Sequence, residues 1–293
     1  MFLESKKEVS EKQFSESCAK FQTMAEPLVT ILIPHYKTLE ITKLCLRLLR
    51  KNTDLNMARV IVIDNGSQDV SSAYLKKLSW IEIAERKNEP DDSPSIAHAK
   101  ALDLGLTRVN TPYVLSIHTD TLVKHPLWLN VLLEQIENKP DVASVGSWKL
   151  EAKPWFKYCL KAIEKNIQLP LYRLMGPNHH KIEGHGGNYY YLRSHCALYR
   201  TDLIRKYQLT FSADRESVGK VMHKKLQEYG YKTIFLPSDL LCRYIYHLNH
   251  ATMVLNPQLG SSKKSIIKGE KRIRHAFRKL EANKVLNDES LDL

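Results

Sequence analysis

Two residues in the stretch Tyr113–Val123, His118 and Asp120, have side chains suited to holding a metal. Tyr113–Ile117 (Tyr-Val-Leu-Ser-Ile) is a short β-rich run that stops at His118, Thr119 and Asp120. An apolar strand that ends in polar residues presents them at the carboxyl edge of a sheet, where open α/β sheets bind ligands. Asp120 can coordinate a hard divalent cation, which prefers oxygen ligands. The chemistry this suggests is a divalent metal beneath a nucleoside diphosphate. Two other strand ends add to it. Tyr36, in Pro34-His35-Tyr36, can stack on a base, and Asp64 can accept hydrogen bonds from a ribose or a base imide. Each residue also has a plain structural use: rim packing for Tyr36, an Asx-turn for Asp64, a helix cap for Asp120. Three such ends on successive parallel strands favour a site.

The elements that must position them follow a regular rhythm. Leu28–Ile33 and Val60–Ile63 are continuous β-branched runs, which read as buried parallel strands. Between them, Leu39–Arg50 carries Ile41, Leu44, Cys45, Leu48 and Leu49 at helical spacing. Val70–Leu78 reads as a helix, Trp80–Ala84 as a third strand, and Ile96–Arg108 as a helix that Ser95 can cap. This strand–helix alternation predicts an α/β fold with a mostly parallel, doubly wound sheet. Further on, the pattern predicts a helix at Leu127–Asn138 and strands at Val142–Val145, Tyr189–Arg193, Cys196–Tyr199 and Lys232–Leu236. Helices are expected at Thr201–Tyr207 and at Ser217–Tyr229, closed by Gly230. Residues 1–26 read as a loosely held arm, although Gln13–Met24 could form a short helix, and Gly176–Asn188 as a loop rich in glycine and histidine.

Bulk properties narrow the class. The 293 residues suffice for one large α/β domain, and the hydrophobic (43%) and charged (26%) fractions are ordinary for a globular chain. The net charge of +12 is not, and points to a polyanionic partner. Five scattered cysteines without a C-x-x-C spacing support neither a zinc knuckle nor a disulfide framework, so a reducing compartment is expected. The N-terminus lacks the apolar core of a signal peptide, and no apolar run approaches the ~20 residues that span a bilayer. The expected location is the cytoplasm.

Val29–Lys37, then Val60-Ile-Val-Ile-Asp-Asn-Gly-Ser-Gln-Asp69, then Asp103-Leu104-Gly105, then Tyr113–Thr121 together resemble the family 2 glycosyltransferases over roughly residues 27–250. The resemblance implies the GT-A fold, a nucleotide-sugar donor carrying UDP, GDP or dTDP, inversion at the anomeric carbon, and Mn²⁺ or Mg²⁺ as cofactor. It implies nucleotide binding by Pro34, His35, Tyr36, Asp64, His98 and His118, and metal binding by Asp120 with His118 and His247. Asp120 matches the last carboxylate of the family's D-x-D motif, but His118 stands where the first is expected, which removes one negative charge. The family's later Glu-Asp motif, which deprotonates the acceptor, is not intact. Asp214 and Glu216 are the available carboxylates, with Glu216 preferred. His250 lies three residues beyond His247 and shares its face if the segment is helical. The segment Gly184–Asn188 could close over the ligands as a lid.

The implied organisation is an arm (1–26), a GT-A domain (27–255) with a nucleotide half (27–125) and an acceptor half (126–255), and a basic helical tail (256–293). In Ser261–Leu286, Ile266, Ile273, Phe277 and Leu280 form an apolar stripe flanked by Lys263, Lys264, Lys268, Lys271, Arg272, Arg274, Arg278 and Lys279. Such a helix can lie on anionic lipid or pack against the domain. The first option suits a peripheral enzyme on the inner face of a membrane, acting on a glycan or lipid-linked acceptor in cell-surface polysaccharide synthesis. The altered D-x-D and absent Glu-Asp pair leave open an inactive GT-A-like protein that only binds nucleotide or membrane. No nucleic-acid recognition motif accompanies the charge. A nucleotidyltransferase would need a glycine-rich loop after the first strand, where Pro34-His35-Tyr36-Lys37 has no glycine.

Overall fold

The computed structural model describes residues 26–87, 89, 91–150, 184 and 188–293. The expected arm helix at Gln13–Met24 and most of the segments 176–188 and Gly184–Asn188, with the proposed lid, lie outside the described residues.

The first half is built as the apolar runs dictate. In chain order come β1 (Val29–His35), α1 (Leu39–Asn52), β2 (Ala58–Asp64), α2 (Val70–Leu75), β3 (Glu82–Glu85), α3 (Pro94–Leu106) and β4 (Tyr113–Ile117). These four strands run parallel in the order β3-β2-β1-β4. Helix α3 begins at Pro94 and is capped by Ser93, whose Oγ accepts the Ile96 N–H, rather than by Ser95. A proline at the first helical position sacrifices no hydrogen bond, which moves the start upstream.

The second half continues with β5 (Thr121–Val123), α4 (Trp128–Leu133), β6 (Val142–Gly146), β7 (Cys196–Arg200), α5 (Thr201–Lys206), α6 (Lys220–Glu228), β8 (Lys232–Phe235), α7 (Ser238–Leu241) and β9 (Ile245–His247). Strand β7 runs antiparallel between β4 and β6, and β8 completes a seven-stranded sheet. Tyr189–Arg193 is irregular rather than a strand. A small antiparallel ribbon pairs β5 with β9. Helices α8 (Ala251–Leu255), α9 (Lys263–Lys279) and α10 (Ala282–Leu286) follow.

Alternation along β1 divides the core. Val29, Ile31 and Ile33 belong to one buried cluster, with Leu46 and Leu49 of α1, and Leu32 faces the opposite one, with Ala99 and Leu102 of α3. Gly105 brings α3 close to the sheet: a Cβ there would stand 2.9 Å from Ile63 Cδ1. Asp103, two residues earlier, accepts the N–H groups of Phe211 and Ser212 and ties α3 to the second half.

The tail is part of this body. A third cluster joins Ile41, Leu44, Cys45 and Leu48 of α1 to Ala276, Ala282 and Val285, with Ile273, Phe277 and Leu280 packed against it. Most of the predicted apolar stripe is therefore used in packing. Arg47, fully buried, donates to Asp292 and to the carbonyls of Val285 and Leu286.

Candidate active site

The turn after β4 sets the floor. Thr121 N–H donates to the His118 carbonyl at 3.0 Å, and Leu248 N–H to the Asp120 carbonyl at 2.9 Å. The β5–β9 ribbon places Thr121 opposite His247. Residues far apart in sequence thus meet through backbone hydrogen bonds. Asp120 Oδ2 accepts the Ala251 N–H at 3.0 Å, which leaves Oδ1 facing the histidines. His247 Nε2 lies 3.2 Å and His118 Nδ1 3.6 Å from that oxygen. The ligand atoms of the three residues all lie within 4.8 Å of one another.

Asp120 Oδ1 and both ring nitrogens of His247 are buried and make no aligned hydrogen bond. Buried polar atoms are normally satisfied, so a converging unsatisfied set calls for a ligand. One carboxylate oxygen and two imidazole nitrogens around a common point suit a divalent cation. Burial works against the charge on Asp120, but His247 and His118 beside it hold its carboxyl well below the usual carboxylate range.

More imidazoles surround this trio. His195 stacks on His247 at 4.5 Å between ring centroids, and its Nε2 shares a 3.0 Å hydrogen bond with Ser147 Oγ. His98, on α3, meets His118 edge to face at 4.6 Å. Burial holds the imidazoles of His98 and His195 well below their ordinary range, with help from neighbouring histidines. Both are neutral at physiological pH.

Above the floor opens a cavity of about 590 Å³. Its lining includes Pro34, Tyr36, Asn65 and His98 from the first half and Trp148, Tyr191, Arg193, Ser217 and Val218 from the second. The Arg193 guanidinium lies 4.2 Å from the Trp148 ring centroid and 4.6 Å from that of Tyr191. This cationic aromatic wall was not singled out from sequence, because its members fall in the irregular stretches that flank 151–183.

Of the expected site residues, Pro34, Tyr36, His98, His118, Asp120 and His247 meet at this cavity. His35 also borders it, but its imidazole points away, buried between Thr42 Oγ1 (2.9 Å) and Ser71 Oγ (2.8 Å). Strand alternation explains this, since Pro34 and Tyr36 share one face and His35 takes the other. The imidazole of His35 is therefore held in the core, and only the rest of the residue borders the cavity. Asp64 does not line the cavity: it accepts from Ser67 N–H (3.0 Å) and Ser72 Oγ, and its neighbour Asn65 faces the opening. Burial opposes the Asp64 charge, but those bonds hold its pKa below the usual range. Asp214 and Glu216 are exposed and outside the cavity, with Glu216 paired to Lys220 at 3.0 Å. His250 is not on a helical face with His247. It sits at a left-handed position before α8, and it still borders the cavity.

The family model described as "Glycosyl transferase family 2" matches residues 30–208. The chain belongs to that family. Membership makes it a glycosyltransferase that draws on a nucleotide-sugar donor. No protein of curated function matches it by sequence. Among solved structures, the chain is similar to the mannosyltransferase PcManGT from Pyrobaculum calidifontis, determined with GDP-Man and Mn²⁺. Identity is 14%, with 95% of this chain and 77% of that one covered, at a TM-score of 0.52. Similar too is glucosyl-3-phosphoglycerate synthase from Mycobacterium tuberculosis, determined with Mn²⁺, UDP and phosphoglyceric acid. There identity is 14%, coverage 90% and 82%, and the TM-score 0.51. At this distance the likeness establishes the shared GT-A fold.

Proposed function

We propose that this family 2 glycosyltransferase is inverting and metal-dependent, and that His118, Asp120 and His247 hold the metal beneath the donor diphosphate. The observation that carries this reading is the convergence of unsatisfied Asp120 Oδ1 and His247 nitrogens with His118 under the cavity. The two solved relatives contain Mn²⁺ with GDP-Man or UDP, which agrees with Mn²⁺ or Mg²⁺ as cofactor. When bound, the metal would neutralise charge growing on the leaving diphosphate.

The chain's own residues divide the remaining work. Tyr36 stacks on the base and Pro34 shapes its seat, with Asn65 in reach of ribose or base. Asp64 sets this edge from behind by holding the Ser67 turn. The half comprising 27–125 would therefore seat the donor, and 126–255 the acceptor. Trp148, Tyr191 and Arg193 form the wall on which a sugar ring can lie, and a packed wall limits competing hydrolysis.

Inversion needs a carboxylate that takes the acceptor proton on the face opposite the leaving group. Glu216 directly precedes Ser217 and Val218 on the cavity wall, and Lys220 beside it lowers its pKa, so it is ionised at neutral pH. We assign it the base role, with Asp214 as its neighbour. Its outward position favours a second reading, a nucleotide-binding member without turnover. The acceptor we infer is a glycan or lipid-linked glycan of the cell surface. The basic outer face of α9, with Lys264, Lys268 and Lys271 exposed, supports docking on anionic lipid at the inner membrane face.

The test is release of nucleoside diphosphate from UDP-, GDP- and dTDP-sugars with and without glycan acceptors. Transfer should be lost in Asp120→Asn and should fall by about 100-fold or more in Glu216→Gln. Binding of a nucleotide without release from any sugar would favour the second reading. Full activity in Glu216→Gln would remove that residue from the mechanism.

A further inference from the structure

We propose that the metal site of this chain selects a first-row transition cation, Mn²⁺, Co²⁺ or Zn²⁺, and discriminates against Mg²⁺. The inference rests on the metal-binding reading above and deepens it, because it concerns the donor set that His118 creates.

The donor set is fixed before any ion arrives. Asp120 turns its unpaired oxygen, Oδ1, toward the histidines, while Oδ2 accepts the Ala251 N–H. His118 is oriented by its far nitrogen: Nε2 shares a 2.8 Å hydrogen bond with Ser194 Oγ, and Ser194 is itself buried. In the tautomer that carries its proton on Nε2, His118 donates to Ser194, and Nδ1, 3.6 Å from Asp120 Oδ1, keeps its lone pair. An imidazole whose second nitrogen is held by another group is the usual arrangement of a metal-ligating histidine. His247 is fixed by the β5–β9 ribbon and by the stacked His195 ring. The protein therefore presents two nitrogens and one oxygen, with one formal negative charge.

Mg²⁺ is hard, sheds water reluctantly and is held mainly through carboxylates and phosphates. Neutral imidazoles gain it little. The same ligands suit later first-row cations, whose affinity for nitrogen sites rises toward the right of the series. A second carboxylate at position 118 would reverse the balance by adding charge and removing a nitrogen. His118 is thus a specificity-determining residue for the cofactor, and Ser194 its positioning residue.

The experiment measures binding of each metal alone, by calorimetry for Mg²⁺ and Mn²⁺ and by visible absorption for Co²⁺, on untagged full-length protein. Mn²⁺ and Co²⁺ should bind at least about tenfold more tightly than Mg²⁺. In His118→Asp the preference should shrink, and the Co²⁺ bands should move as one nitrogen leaves the coordination sphere. Ser194→Ala should weaken Co²⁺ binding by roughly 10- to 100-fold, and circular dichroism would confirm that both variants fold. Mg²⁺ binding as tight as Mn²⁺ in the native protein, or an unchanged preference in His118→Asp, would overturn the inference while leaving the metal site intact. Failure of every cation to bind would instead overturn the metal-dependent reading, and this inference with it.

Discussion

Asp120 concentrates the chemistry because each of its oxygens has a separate task. One is held by the backbone of α8, and the other faces His247 and His118. Asp120→Asn keeps the shape but loses the charge, so metal and nucleotide affinity should both fall while the fold survives. His35 illustrates the opposite case. Burial lowers its pKa to about 4, against the upward pull of Asp64 and Asp69. The unfolded chain takes up this proton near pH 6.5, and the folded chain only near 4. The group's contribution to stability is complete above pH 6.5 and is lost as the pH falls toward 4, by at most about 3 kcal/mol. Thermal denaturation across that window should show a falling Tm, with a shallower slope in His35→Gln despite a lower starting value. Parallel slopes would assign the acid sensitivity to other groups. His118, Asp120 and His247 were legible in the sequence because a strand end, a motif position and a late histidine each left a local trace. Ser194 and His195 left none. Only the antiparallel placement of β7 beside β4 brings them there.

At the level of elements, β1, β2 and β4 were legible as continuous apolar runs, and their carboxyl ends locate the site. The tail was read from its composition, which cannot tell a lipid-facing stripe from one that packs. Its contacts are specific. Arg272 of α9 donates to the carbonyls of Leu248 and Asn249, the turn that follows His247. A basic residue expected to contact lipid or solvent therefore braces the turn beside His247, one of the proposed metal ligands. Arg272→Ala should weaken metal binding without touching the cavity, and Lys268→Ala on the same helix should not, as calorimetry would show. Arg47 does similar work for the C-terminus. Asp292→Ala would leave its buried guanidinium without a carboxylate, at a cost of about 2–3 kcal/mol in denaturant unfolding. A loss under about 0.5 kcal/mol would show that the carbonyls of Val285 and Leu286 suffice.

Across the whole molecule, a seven-stranded sheet sets the edge of the cavity, the β5–β9 ribbon returns the chain to it, and the C-terminal helices brace that return. The sheet was legible because parallel strands buried on both faces require unbroken apolar sequence. The wall of Trp148, Tyr191 and Arg193 was not, because Trp148 lies in an irregular segment and Tyr189–Arg193 reads as a strand although it folds as irregular chain. A donor site completed by metal at Asp120 can be tested by thermal denaturation with UDP, GDP and dTDP, each with and without Mn²⁺. A ligand that binds only the folded state raises Tm with its occupancy. At least one of these nucleotides should stabilise the protein in a way that depends on Mn²⁺ and disappears in Asp120→Ala. Stabilisation that is indifferent to metal, or that persists in Asp120→Ala, would contradict a donor site completed by metal.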